Sequence, residues 1–205
     1  MQSLVLQLIY SVILRWILKL FVGVKFDDGS FLKKEKQYII VANHNSHLDT
    51  MTLMAAIPSS QLHRVKPVAA ADYFGNTRLK AAFSNYFINT LLISRSGGNA
   101  IKQMKKILDD GYSLILFPEG TRGEPDEEQA LKPGIALLLS LCPQVKYVPA
   151  YMIGMGKAMP KGDNLIVPYD SYLYFGKPTL AQSSDVKEIL KQIEDDLHAL
   201  REKAN

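Results

Sequence analysis

One cysteine in 205 residues excludes an internal disulfide framework. That residue, Cys142, ends the apolar run LLLSLC and is expected to be a buried, inert thiol. Histidine is nearly as sparse, with four in the chain. His63 and His198 stand alone and are expected to face solvent. His44 and His47, with Asp49, offer three metal-type ligands within six residues, but no second His/Cys/Asp cluster completes a site, so no metal is expected. The chain has no GxSxG elbow and no P-loop, and the GMGK run at 154–157 is a fragment of neither phosphate motif. No basic run interleaved with aromatics suggests nucleic acid. Internal repeats and low-complexity tracts are missing as well. The formal net charge is only +4, which suits an anionic partner without choosing among phosphate, lipid and nucleic acid.

What is present describes a globular protein: 47% of residues are hydrophobic and 21% charged. The length suits one domain with a real core and a short appendage. Residues 1–24 form that appendage and 25–205 the domain. From Leu4 to Val22 the chain is mostly apolar, about 28 Å as a helix at ~1.5 Å per residue. Ser3, Gln7, Ser11, Arg15 and Lys19 recur every four residues and draw one slowly winding polar stripe. Arg15 near the middle of a membrane span would be costly. The expected arrangement is an amphipathic helix lying in a membrane interface, with Arg15 and Lys19 reaching lipid phosphates and Trp16 in the acyl boundary. A true span and a helix packed on the core are the alternatives. As an appendage, residues 1–22 should be removable to leave a folded, more soluble domain. No basic region precedes the apolar run and no small-residue cleavage site follows it, against a signal peptide.

Beyond a DDGS turn at 27–30 and a basic stretch at 33–36, strands are expected at 37–42, 65–70, 88–94, 112–117, 145–153 and 172–175. Helices are expected at 48–57, 78–86, 99–110 and 133–141, with a final amphipathic helix from Val186 through Leu200. The acidic, turn-rich GEPDEEQ at 123–129 reads as an exposed loop. Alternating strands and helices indicate an α/β fold with a mostly parallel or mixed central sheet.

Two segments carry chemistry. NHNSHLD, residues 43–49, follows directly on a buried strand. The C-terminal ends of strands are where α/β folds commonly present reactive groups. His44 and Asp49 would lie about 140° apart on a continuous helix, but a histidine on the loop can meet an aspartate in the first helical turn. The aspartate would then fix the imidazole tautomer and leave the other ring nitrogen to take a proton. FPEGTR, residues 117–122, also ends a buried strand. Gly120 permits an unusual backbone or a close approach, Glu119 can accept from a hydroxyl, and Arg122 can grip a phosphate.

NHxxxxD followed by FPEGTR resembles the glycerol-3-phosphate and 1-acylglycerol-3-phosphate (lysophosphatidic acid) acyltransferase family. The resemblance runs from about Tyr38 to Pro178. LLISR at 91–95, VPA at 148–150 and FGKP at 175–178 resemble further family blocks. It implies a single glycerolipid-acyltransferase-like α/β domain, with His44 as base and Asp49 as its orienter. Arg95, Glu119, Gly120, Thr121 and Arg122 would bind the acceptor. Two departures stand out. Asn89-Thr90 occupy a region where the family usually has glycine. PVAAADY at 67–73 puts alanine where many lysophosphatidic acid enzymes carry a phosphate-holding lysine, so an acceptor phosphate is held differently or is absent.

The activity so implied is transfer of a fatty acyl chain from acyl-CoA or acyl-ACP to a lysophospholipid hydroxyl, 1-acyl-glycerol-3-phosphate giving phosphatidic acid. Oxyanion donors would be backbone N–H groups near Gly120 or at a helix start. No cofactor is needed beyond the acyl co-substrate, and the partners are membrane lipids and the acyl carrier. The protein would be membrane-associated with its active site on the cytoplasmic side. A different lysolipid acceptor, a transacylase and a non-catalytic lipid-binding module are the alternatives, with a metal-dependent phosphoesterase behind them.

Overall fold

The computed structural model describes residues 2–70, 89–93, 98–125, 127–160 and 165–204. Its strands are β1 (Val24–Phe26), β2 (Tyr38–Ala42), β3 (Val65–Ala70), β4 (Leu91–Ile93), β5 (Ser113–Leu116), β6 (Lys146–Ile153) and β7 (Ser171–Phe175). They form one seven-stranded sheet in the order β1-β7-β6-β2-β5-β3-β4. All pairings are parallel except that between β6 and β7. The helices are α1 (residues 2–22), α2 (Asp49–Ala56), α3 (Gly98–Asp109), α4 (Gly134–Leu141), α5 (Met155–Ala158) and α6 (Val186–Ala204). The expected helix at 78–86, with Ala71, Asp72, Tyr73 and Arg95, lies outside the described residues. The short β1 and α5 carry no periodic signal of their own and were not expected; neighbours define them.

Both sheet faces are covered, which is why the central strands read as unbroken apolar runs. Along β2, Tyr38, Ile40 and Ala42 enter one core cluster with α1 and α2. Ile39 and Val41 enter the other, with α3, α4 and α6. In β5, Ile115 faces the first and Leu114 and Leu116 the second. This period-two alternation fixes register, because a one-residue slip would exchange the two cores. Cys142 is fully buried in the second core. Central β2 pairs with β5 in the register Val41↔Leu116. The two strands therefore end side by side, and the loops after them, 43–48 and 117–122, emerge together.

Helix α1 departs from expectation in the orientation of its polar stripe. Leu6, Tyr10, Leu18 and Val22 are buried in the first core. Arg15 also turns inward: its guanidinium donates to the Ala55 carbonyl at 2.6 Å and lies 4.6 Å from the centre of the Phe26 ring. Ala55 is in the last turn of α2, where carbonyls lack intrahelical partners, so Arg15 caps that helix and complements its dipole. Lys19 remains exposed, over the Trp16 ring. The outward face is apolar, with Leu4, Leu8, Val12, Trp16, Leu20 and Phe21 all exposed. Hydrogen bonding of the wider i→i+5 kind over Leu8–Leu14 and Leu18–Val22 keeps residues four apart nearly aligned, so the inner and outer rows stay straight. The stretch Leu4–Val22 is long and apolar enough to cross a membrane by length and composition. One side of it belongs to the domain's core.

Candidate active site

The loop after β2 is organised around Asp49, the first residue of α2. Its Oδ2 accepts the backbone N–H groups of Asn45 at 2.7 Å and Ser46 at 2.8 Å. The same oxygen lies 2.9 Å from His44 Nδ1. An acceptor already holding two amide protons requires the ring proton on Nδ1, which leaves Nε2 as the basic nitrogen. Asp49 is 1% exposed and the His44 side chain 21%, so the aspartate is shielded while the imidazole is reachable. The chain folds this way because a carboxylate in the first turn satisfies the amides of the incoming loop.

FPEGTR closes the other side. The Phe117 ring stacks on the His44 imidazole, centroids 4.1 Å apart. Glu119 Oε2 accepts the His44 N–H at 3.2 Å, and the Gly123 N–H donates to the His44 carbonyl at 2.9 Å. Both backbone groups of His44 are thus held by a segment some 75 residues away. Glu119 is buried. That burial pushes its carboxyl up to about 7, against the pull of the His44 amide, and the Asp49 charge adds to the rise. Gly120 adopts φ +74°, a conformation glycine accepts without strain. Its N–H donates to Phe117 O at 3.0 Å. This amide is used within the turn, which leaves neighbouring N–H groups or a helix start as the expected oxyanion donors. Thr121 is exposed, with Oγ1 3.3 Å from Gln129 Oε1.

Arg122 is half-buried near His47. Burial first, then the charges of Arg122 and His44, hold the His47 pKa below its ordinary value. His44, His47, Glu119 and Arg122 therefore occupy one cluster. Arg95 lies outside the described residues. Among the described residues no group of three or more His, Cys, Asp or Glu side chains is placed to hold a metal ion.

Several supporting residues escaped the sequence reading. Gln129, assigned to an exposed loop, donates from Nε2 to Glu119 Oε2 at 2.9 Å and to Thr121 O at 3.2 Å. A Cβ at Gly123 would fall 2.5 Å from that nitrogen. Lys132 crosses Gly120 so closely that a Cβ there would meet its ammonium at 2.5 Å. Asn43 imitates a strand residue, exchanging two bonds with the Met152 backbone, each 2.8 Å. Asn45 donates to Glu124 O at 2.7 Å, and Ser46 to Met159 O at 2.9 Å. The density of Asn and Ser around His44 was the available signal, since these side chains replace missing backbone partners in loops.

Known proteins resemble this one in sequence and fold. The family model described as Acyltransferase matches residues 23–153. The chain is 28% identical over 151 residues to the chloroplastic 1-acyl-sn-glycerol-3-phosphate acyltransferase of Arabidopsis thaliana, covering 72% of this chain and 41% of that one. It is 28% identical over 140 residues to the beta form from Homo sapiens, 64% of this chain and 47% of that protein. With the Bacillus subtilis protein named 1-acyl-sn-glycerol-3-phosphate acyltransferase, the values are 28% over 137 residues, 67% and 66%. The chain thus spans less than half the length of the plant and human relatives. The crystal structure of the 1-acyl-sn-glycerophosphate acyltransferase PlsC from Thermotoga maritima has the same fold, with a TM-score of 0.79 at 18% identity, over 98% of this chain and 79% of that one.

Proposed function

Since the chain belongs to the Acyltransferase family, we propose that it is an O-acyltransferase moving a fatty acyl chain from acyl-CoA or acyl-ACP to a lysophospholipid hydroxyl, with 1-acyl-glycerol-3-phosphate as acceptor and phosphatidic acid as product. The observation that carries this reading is the His44–Asp49 pair, 2.9 Å apart, with an accessible imidazole on a loop whose backbone Glu119 holds and with Arg122 close to His47. The relatives named for that acceptor support it.

In the proposed reaction, His44 Nε2 takes the proton of the acceptor hydroxyl. The acceptor oxygen attacks the thioester carbonyl carbon. The resulting imidazolium is stabilised by the buried Asp49 carboxylate. The tetrahedral intermediate collapses with rupture of the C–S bond, and the departing thiolate takes the proton back from His44. General-base help of this kind is worth about 10²–10⁴ in rate. No covalent acyl-enzyme, metal or organic cofactor enters this scheme. Arg122, Arg95 and the Gly120-Thr121 turn would receive the acceptor headgroup.

The outer face of α1 would rest in one leaflet, with the active site on the cytoplasmic side where acyl thioesters are supplied. A bilayer contact of this kind is supported by the row of exposed apolar side chains opposite a buried one.

The test is product analysis by mass spectrometry after incubating purified protein and labelled acyl-CoA with lysophosphatidic acid, lysophosphatidylcholine or monoacylglycerol. Labelled phosphatidic acid, abolished by His44→Ala, supports the reading. Arg122→Ala should then raise KM for lysophosphatidic acid roughly ten- to a hundredfold, from loss of a charge-assisted contact, with little change for the donor. Acylation of the uncharged acceptor alone, indifferent to Arg122, would refute the acceptor assignment. Product formed without any thioester would point to a transacylase.

A further inference from the structure

A second apolar surface lies apart from α1 in sequence. Leu165 is 71% exposed, and Ile166, Val167 and Tyr169 are between 41 and 46%. Consecutive branched side chains left in water are costly unless something covers them. The segment has a defined course. The Tyr169 N–H donates to Val22 O at 2.9 Å, at the end of α1, and the Ser171 N–H to Gly23 O at 3.4 Å. The Val167 N–H donates to Ala158 O at 2.8 Å, at the end of α5. The next residue, Met159, accepts from Ser46 Oγ in the loop that carries His44. Leu165–Tyr169 therefore bridges the C-terminal end of α1, where Leu20 and Phe21 are both more than two-thirds exposed, and the catalytic loop.

Cations frame this surface. Lys157 lies 5.4 Å from the centre of the Tyr169 ring. Lys25 lies 4.5 Å from that of Tyr172 and donates to its hydroxyl at 2.7 Å. Lys19 stands over Trp16. The acidic neighbour Asp170 is 3.6 Å from Lys25 and so is already countered. Apolar side chains at the centre with aromatic rings and lysines around them match the depth profile of an anionic bilayer surface.

We propose that Leu165, Ile166 and Val167 form a second membrane-inserting element, whose occupant is the leaflet of an anionic phospholipid bilayer. The leaflet would contact the protein on two adjoining surfaces, one on α1 and one beside the His44 loop. A lipid acceptor then enters from the leaflet without crossing water. This deepens the proposed lipid acylation, and only the activity arm of its test depends on that reading.

The experiment places an environment-sensitive fluorophore at Leu165→Cys in a full-length Cys142→Ala background. Leu20→Cys serves as the α1 reference and Leu180→Cys as the control, near the β6 end far from the catalytic loop. Added phosphatidylcholine–phosphatidylglycerol vesicles should shift the emission of the probes at 165 and 20 to the blue and expose them to a lipid-borne quencher. The probe at 180 should not respond. A response at 20 without one at 165 overturns the proposal. So does a shift at 165 that follows protein concentration rather than vesicles, with a doubled mass in sedimentation, because a second copy of the chain would then cover the patch. In the activity arm, Leu165→Asp with Ile166→Asp should retain the wild-type melting temperature. It should lose about tenfold or more of the rate on vesicle-embedded lysophosphatidic acid, while turning over a short-chain, monomeric acceptor as wild type does. Equal loss on both acceptors overturns the proposal. Absence of acyl transfer by wild type on either acceptor sinks the enzymatic reading instead and leaves the probe result to decide the insertion.

Discussion

Glu119 holds His44 by the backbone, its Oε2 accepting the His44 N–H at 3.2 Å while the carboxyl itself sits buried. The second motif thus fixes the first through main-chain geometry.

The burial of this carboxyl, which outweighs its hydrogen bond from the His44 N–H, predicts a pH dependence of stability. The Glu119 carboxyl is raised from 4.5 to about 7 in the folded protein. Between those values the folded state binds more protons than the unfolded one, so stability falls as pH rises through the window and is level above it. At about 1.4 kcal/mol per unit, the loss is on the order of 3 kcal/mol. Glu119→Gln should gain stability relative to wild type as pH rises from 5 to 8. Parallel urea titrations across that range measure it, and a constant difference between the two proteins would count against the buried carboxyl as its source.

At the proposed base, His44→Ala should lose at least ~10²-fold in kcat, with His47→Ala much milder. Asp49→Asn should cost roughly ten- to a hundredfold, as a charge-assisted hydrogen bond becomes a neutral one. The N–H groups of Asn45 and Ser46 call for the amide oxygen at the Oδ2 place, so Nδ1 keeps its acceptor while the imidazolium loses the carboxylate that stabilises it. Nitrogen NMR should find the His44 tautomer unchanged while turnover falls, which separates this from unfolding.

Gly120 should tolerate no side chain. Gly120→Ala places a Cβ at φ +74° and drives it into the Lys132 ammonium, so a loss of about 1–3 kcal/mol is expected. Adding Lys132→Ala relieves the clash but not the dihedral strain, so recovery in thermal melts should be partial. Full recovery would mean that the backbone angle is unimportant.

For α1, removal of residues 1–22 should destabilise the domain rather than release it. Leu6, Tyr10, Leu18 and Val22 leave the core, each apolar side chain worth about 1.5–3 kcal/mol. Arg15→Ala should lower the melting temperature through the lost Ala55 and Phe26 contacts. Leu8→Gln with Leu20→Gln, on the outer face, should instead leave melting unchanged and weaken vesicle flotation. A stable, soluble truncation would contradict this division of the helix.

Much of the fold was legible in the chain. β2, β5 and β6 announced themselves as apolar runs, α3 as an amphipathic repeat over 99–110 and α6 as one from Val186 through Leu200, because their signals lie within single elements. β1 was not legible: three residues gain strand geometry only by pairing with β7. Gln129 was hidden because its partners Glu119 and Thr121 lie across a loop whose path no local pattern specifies.

The sequence by itself determined which residue types stand at the strand ends, His44 with Asp49 and Glu119 with Arg122, since these follow from order along the chain and from the resemblance they carry. Tertiary structure alone decided that β2 and β5 would be neighbours, and hence that Glu119 and Gly123 would grip the His44 backbone. It also decided which side of α1 faces inward. A stripe every four residues shows that a helix has two faces, but not which one meets the protein. Arg15 turned inward because the open end of α2 offers its guanidinium an unpaired carbonyl and the Phe26 ring beside it, and that left the apolar row outside.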